Sequence, residues 1–156
     1  MLENRSLDHR LGFSGISGTD PVASLKTSVK GFSGRETNSY NGKTSTVSHP
    51  ADYAMAVDPG HQFTDRLCQL SGADAKYTPG ENYPSTDNSG FVAAHVEACS
   101  KARLQRDVAE ILKCYSPEQL PVLNALAQES AVCDGWQISM PSTTAPGVAQ
   151  PGRFGR

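Results

Sequence analysis

The sequence predicts an α+β fold: a small, mostly helical core with an αα-hairpin at about 89–131 and a short helix at about 59–70, a minimal β-sheet, and flexible polar arms. Three observations carry this. Apolar residues recur at helical spacing from Phe91 to Ala131. Phe63, Leu67 and Leu70 fall at i, i+4 and i+7, one face of a helix. Nearly half of the first fifty residues are Ser, Thr, Gly or Asn, and the apolar residues among them stand singly. Such a stretch buries too little apolar area to offset the entropy of ordering it. The expected division is a polar, largely flexible arm over 1–50, a folded domain over 51–140 and a flexible tail over 141–156.

Within the arm, Gly12-Phe13-Ser14-Gly15 recurs as Gly31-Phe32-Ser33-Gly34, each copy placing one aromatic between glycines. Between the copies, Asp20 reads as an N-cap and Pro21 as the first residue of a helix that carries Val22, Leu25 and Val29 and ends at Gly31. Asn41-Gly42 reads as the two-residue turn of a hairpin joining 36–40 to 43–48. Over 51–57 the alternation of Tyr53, Met55 and Val57 suits a strand, and the same residues tolerate a helix. Asp58-Pro59-Gly60 opens the 59–70 helix and Ser71-Gly72 closes it. The polar loop over 74–88 is long for a connection inside a domain, and loops of that length often bind ligands.

The longest expected element is a helix from about Ser89 to Tyr115. Its first half is apolar almost all round. Its second half carries Leu104, Val108, Ile111, Leu112 and Tyr115 on a stripe about 120° from the Val92–Val96–Cys99 line, so the helix bends or two neighbours cover its ends. Ser116-Pro117-Glu118-Gln119 reads as the capped start of a second helix presenting Leu120, Leu123, Leu126 and Ala127. Trp136, Ile138 and Met140 alternate as one short strand.

A formal net charge of −2, 19% charged residues and scattered lysines and arginines argue against nucleic-acid binding. No segment has the length and apolarity of a membrane span, which argues against membrane insertion, and Met1–Arg5 starts no apolar signal core. The expectation is a soluble protein of a reducing compartment such as the cytoplasm, with its four cysteines free and buried. The Ser/Thr/Asn-rich N-terminus also resembles those of bacterial effectors exported without a cleaved signal.

One string has catalytic character: His95-Val96-Glu97. It resembles the His-x-Glu element of zinc-dependent nucleobase deaminases, and Tyr83-Pro84 with Ala93-Ala94 adds a likeness to toxin-type members. The resemblance spans about fifteen residues and implies His95 as a zinc ligand and Glu97 as proton shuttle. The chain departs from that family in lacking a Pro-Cys-x-x-Cys pair: Cys114 and Cys133 are 19 residues apart. By spacing, His95 and Cys99 share a helix face, and Cys133 can return beside them on the antiparallel second helix, giving the candidate metal set His95, Cys99 and Cys133. His61 opens the helix bearing Cys68, an arrangement that a Cys/His hydrolase or transferase would use. There is no Gly-x-Ser-x-Gly elbow, and Thr37 stands where a phosphate loop ending in Gly42-Lys43-Thr44 would need its first glycine.

With no complete catalytic set, the sequence reads as a non-enzymatic protein–protein interaction module or adaptor that needs no cofactor. It would contact another protein through its arms, Phe13 and Phe32 foremost, and through the 73–88 loop. The alternative reading is a small hydrolytic enzyme with a Cys/His pair or a zinc-dependent His-x-Glu site.

Overall fold

A computed structural model describes residues 6–135. Four helices and two small two-stranded antiparallel sheets make up an α+β fold, the class the patterning predicts. In chain order they are α1 (Leu7–Leu11), β1 (Ser17–Thr19), β2 (Lys26–Ser28), β3 (Thr37–Tyr40), β4 (Lys43–Thr46), α2 (Phe63–Ser71), α3 (Phe91–Lys101), a 3-10 turn (Val108–Leu112) and α4 (Pro121–Gln128). The 136–140 strand and the 141–156 tail lie outside the described residues.

Residues 6–50, expected as a flexible arm, hold α1 and both hairpins and supply Leu11, Ile16 and Val47 to the core. Single apolar residues suffice because each meets partners from far along the chain. Leu11 and Ile16 cluster with Ala127, while Val47 clusters with Val92, Leu112 and Cys114. The Gly-Phe-Ser-Gly repeat shows how the arm is held. Phe32 N donates to Gly12 O at 2.7 Å, joining the two copies, and the Phe13 and Phe32 rings lie 5.9 Å apart. Both rings pack against the Val47–Val92 cluster, so the residues expected to await a partner are half-buried within this chain.

The helix expected from Pro21 is instead the β1–β2 hairpin, with Ser17 opposite Ser28 and Thr19 opposite Lys26. Asp20 caps as expected, but it caps a turn. Its carboxylate accepts from Val22 N at 2.7 Å and Ala23 N at 3.1 Å, and Ser24 takes a left-handed φ of 55°. The residues that follow include Thr27, Ser28 and Val29, which lose side-chain freedom in a helix or compete for its backbone bonds. The β3–β4 hairpin forms where expected, Asn41 and Gly42 having the φ values of 49° and 74° that such a turn demands. Residues 51–57 form neither strand nor helix.

α2 and α3 pack together behind this hairpin. Gly90, at the start of α3, sits so close that a Cβ there would collide with the Cys68 carbonyl oxygen. α3 has no capping side chain of its own; buried Asn38 of β3 supplies one, its Oδ1 accepting from Val92 N at 3.1 Å while its Nδ2 donates to Asn88 O at 2.8 Å. The single helix expected to reach Tyr115 stops at Lys101. Arg103 turns left-handed (φ 55°), and the chain returns through the 3-10 turn, which packs on α3. The break resolves the 120° offset between the two apolar stripes. Beyond it, Cys114 N donates to Ser48 O at 2.8 Å and Ser48 N to Leu112 O at 3.2 Å, joining this return to the end of β4. α4 begins at Pro121 rather than Pro117, and half of the expected capping box survives, with Gln119 Oε1 accepting from Ser116 N at 3.0 Å. Among the described residues no helix is long and apolar enough to cross a membrane.

Candidate active site

His95 and Glu97 lie on the same helix but do not share a site. His95 is 1% exposed, its Nε2 3.6 Å from Cys99 Sγ and its Nδ1 buried with no hydrogen-bond partner among the described residues. Burial lowers its pKa, and the more distant charges of Glu110 and Asp107 only partly oppose that. Positions two apart on a helix point about 200° away from each other. Glu97 accordingly faces solvent and pairs with Lys101 Nζ at 2.9 Å. Of the metal set, the structure brings His95 and Cys99 together and leaves Cys133 exposed elsewhere. No group of three or more His, Cys, Asp or Glu side chains is poised to hold a metal ion among the described residues.

The expected Cys68–His61 pair does not form either. The Cys68 thiol donates weakly to Gly90 O at 3.8 Å. Burial, and then the charge of Glu97, raises its pKa, the opposite of what activates a nucleophile. Cys114 is pushed up to about 12 by burial and by Asp8.

His61 has other partners, and they form the better site. Asp58-Pro59-Gly60 delivers it to the position just before the N-cap of α2, where Asp65 Oδ2 accepts from Gln62 N at 2.9 Å and fixes the helix N-terminus. One turn further, Arg66 donates through a terminal guanidinium nitrogen to His61 Nδ1 at 2.8 Å and through the other to Gln69 Oε1 at 3.1 Å. Gln69 is itself buried and donates to Gly60 O at 3.0 Å, which ties the turn to the helix. An arginine only donates, so Nδ1 accepts and the neutral imidazole carries its proton on Nε2. That nitrogen lies 3.3 Å from Asp58 Oδ2. The imidazole is 28% exposed and the Asp58 side chain 76%, so the pair lies at the surface. Arg66 Nε is buried and finds no acceptor among the described residues. Asp58, His61 and Arg66 thus form a chain of acid, imidazole and guanidinium at the mouth of one helix.

A second cluster joins opposite ends of the described region. The His9 ring stands edge-on to Tyr115 at 4.8 Å, and Tyr115 N donates to His9 O at 2.9 Å. Asp8 beside it is raised in pKa by burial and then by Asp134, whose Oδ2 accepts from Lys30 N at 2.8 Å. Reading the sequence overlooked both clusters. Asp58 and His61 flank a Pro-Gly turn with Arg66 a turn and a half later, a local signal that could have been found. Nothing local announces that Asp134 meets Asp8.

A model of the phosphoesterase family matches residues 1–149. Among curated proteins, the non-specific phospholipase C3 of Arabidopsis thaliana is 34% identical over 153 residues, covering 92% of this chain and 26% of the relative. The non-specific phospholipase C1 of the same plant is 31% identical over 160 residues (99% of this chain, 25% of the relative), and its C6 counterpart 33% over 148 residues (94% and 25%). The chain therefore spans about a quarter of the length of the curated relatives it matches. The match overturns the expectation of a non-enzymatic interaction module, effector-like or otherwise: the similarity runs along almost the whole chain and leads to hydrolases. That expectation rested on the lack of a complete catalytic motif and on a polar N-terminal composition. Neither excludes a hydrolase, since its catalytic groups can come from scattered positions, and the polar stretch folds.

Proposed function

The chain belongs to the phosphoesterase family, and from that membership we propose that it contributes to the active centre of a phosphoester hydrolase of the phospholipase C type. Cleaving a phosphodiester requires a fixed positive charge to balance the phosphoryl oxygens and a group that moves protons to the leaving oxygen or from the attacking one. The observation that carries the reading is His61 held between Arg66 and Asp58, at 2.8 and 3.3 Å. His61 Nε2–H holds Asp58, whose exposed carboxylate takes the proton of the attacking water and returns it to the leaving oxygen, and Arg66 fixes the ring and supplies positive charge on its other side. A guanidinium keeps its charge at any working pH, and it suits a phosphoryl anion better than a lysine does.

The test is hydrolysis of a water-soluble phosphodiester, 4-nitrophenyl phosphocholine, by the purified protein. His61→Ala is expected to lower kcat by about a hundredfold or more, the usual contribution of a positioned acid or base. Arg66→Ala should chiefly raise KM, with Arg66→Lys recovering part of the loss. Glu97→Gln should change neither. Full activity in a folded His61→Ala protein would remove His61 from the mechanism.

A further inference from the structure

The β1–β2 hairpin stands away from the core. All six of its strand residues are exposed, and at its tip Val22 is 93% exposed and Leu25 64%. Pro21 and Ala23 beside them are exposed too, making one small apolar cap. The tip is well ordered by its own bonds. Asp20 holds Val22 N and Ala23 N through its carboxylate, Ser24 N donates to Asp20 O at 2.8 Å, and Asp20 N donates to Leu25 O at 2.8 Å. These bonds keep the backbone of the turn paired within itself, which a segment entering an apolar phase needs. Behind the cap the charge changes sign. Lys26 and Lys30 follow, with Asp20 the only acid from Ser17 to Arg35 in sequence, while at the base of the hairpin Asp134 lies against Lys30 N at 2.8 Å and Glu36 follows Arg35.

We propose that this tip seats the protein on a phospholipid bilayer, Val22 and Leu25 entering the interfacial layer while Lys26 and Lys30 meet anionic headgroups. The choice of a lipid occupant rests on the phospholipase C reading. It also rests on size and surroundings. A cap with two large apolar side chains, on a shank of Ser17, Gly18, Thr19, Thr27 and Ser28, falls far short of the roughly 1,200 Å² that a stable protein interface buries. An apolar tip with a basic collar is what an anionic interface recruits.

Co-sedimentation with vesicles of phosphatidylcholine and phosphatidylserine in equal parts tests this. The double variant Val22→Asp/Leu25→Asp is expected to lower the partition coefficient by about tenfold or more. Lys26→Glu/Lys30→Glu should weaken binding at low salt, the deficit shrinking as salt screens it. Val22→Trp should strengthen binding. The Asp double variant should keep its activity on 4-nitrophenyl phosphocholine and lose activity on vesicle-borne phosphatidylcholine. Vesicle binding by that variant equal to wild type would overturn the proposal, as would light scattering that shows the tip holding a second copy of the chain. Tip-dependent vesicle binding without hydrolysis of any diester would instead count against the phospholipase C reading and leave the tip assignment standing.

Discussion

A thiol reacts as its thiolate, and the four cysteines differ in how far that form lies from reach. Burial raises Cys68 and Cys99, and it takes Cys114 up to about 12, whereas Cys133 is exposed after α4. Ellman's reagent should therefore titrate one thiol rapidly in the native protein, and Cys133→Ser should remove that phase. Half-buried Cys68 should follow more slowly, and Cys99 and Cys114 should appear only on unfolding; three fast thiols would contradict the burial described. The expectation that all four thiols are buried holds for Cys99 and Cys114, whereas Cys68 is half-buried and Cys133 is exposed. The sequence could not separate His95 from His61. His95 has the more suggestive neighbour in Glu97, yet a helix points the two apart, while His61 gains its role from Arg66 and Asp58 across a turn.

At the scale of elements, Gly90 decides how closely α2 and α3 approach. An alanine there would strike the Cys68 carbonyl, a backbone atom inside a helix that cannot swing aside. Gly90→Ala is expected to destabilise the fold by about 1–3 kcal/mol, the range for overpacking a rigid contact, as read from urea denaturation midpoints at unchanged m-value. A wild-type midpoint would mean that the helices separate freely. Two elements form where local pattern pointed: α2, from its i, i+4, i+7 stripe, and the β3–β4 hairpin, from the Asn41-Gly42 turn alone, since its flanking strands alternate only weakly. The β1–β2 hairpin was not, because Asp20-Pro21 can equally cap a helix or a turn, and the choice falls to the residues beyond. The break after Lys101 left only an indirect trace, the rotation between two apolar stripes.

Across the whole molecule, ionisation decides stability in acid, with a sign that can be worked out. His95 has a folded pKa below its ordinary 6.5, so its contribution is intact above 6.5 and declines as pH falls below it, when the unfolded chain gains the proton first. Glu36 follows at lower pH: hydrogen bonds led by Ser33 N bring it from 4.5 to about 2, and its contribution disappears across that interval. Asp8 acts the other way, since burial and Asp134 favour its protonated form. Calorimetric melting temperatures should begin to drop below pH 6.5 in the wild type, and only below about 4.5 in His95→Gln. Identical profiles would show that His95 titrates normally.

The α+β class was legible at this scale. The ordering of the first fifty residues was not, because it depends on pairs such as Lys30 with Asp134 that lie 104 positions apart. One of those pairings has a bearing on how sequences of this kind can diverge. The Gly12–Phe32 bond, with Val29 N on Ile16 O at 3.0 Å, fastens the base of the β1–β2 hairpin, and the twelve residues 17–28 loop out between Ile16 and Val29. Closing a loop twice as long costs only about 0.6 kcal/mol more. Insertions and deletions at the tip are therefore nearly free to the core, so the hairpin's reach is a length that selection can tune while the interior stays as it is.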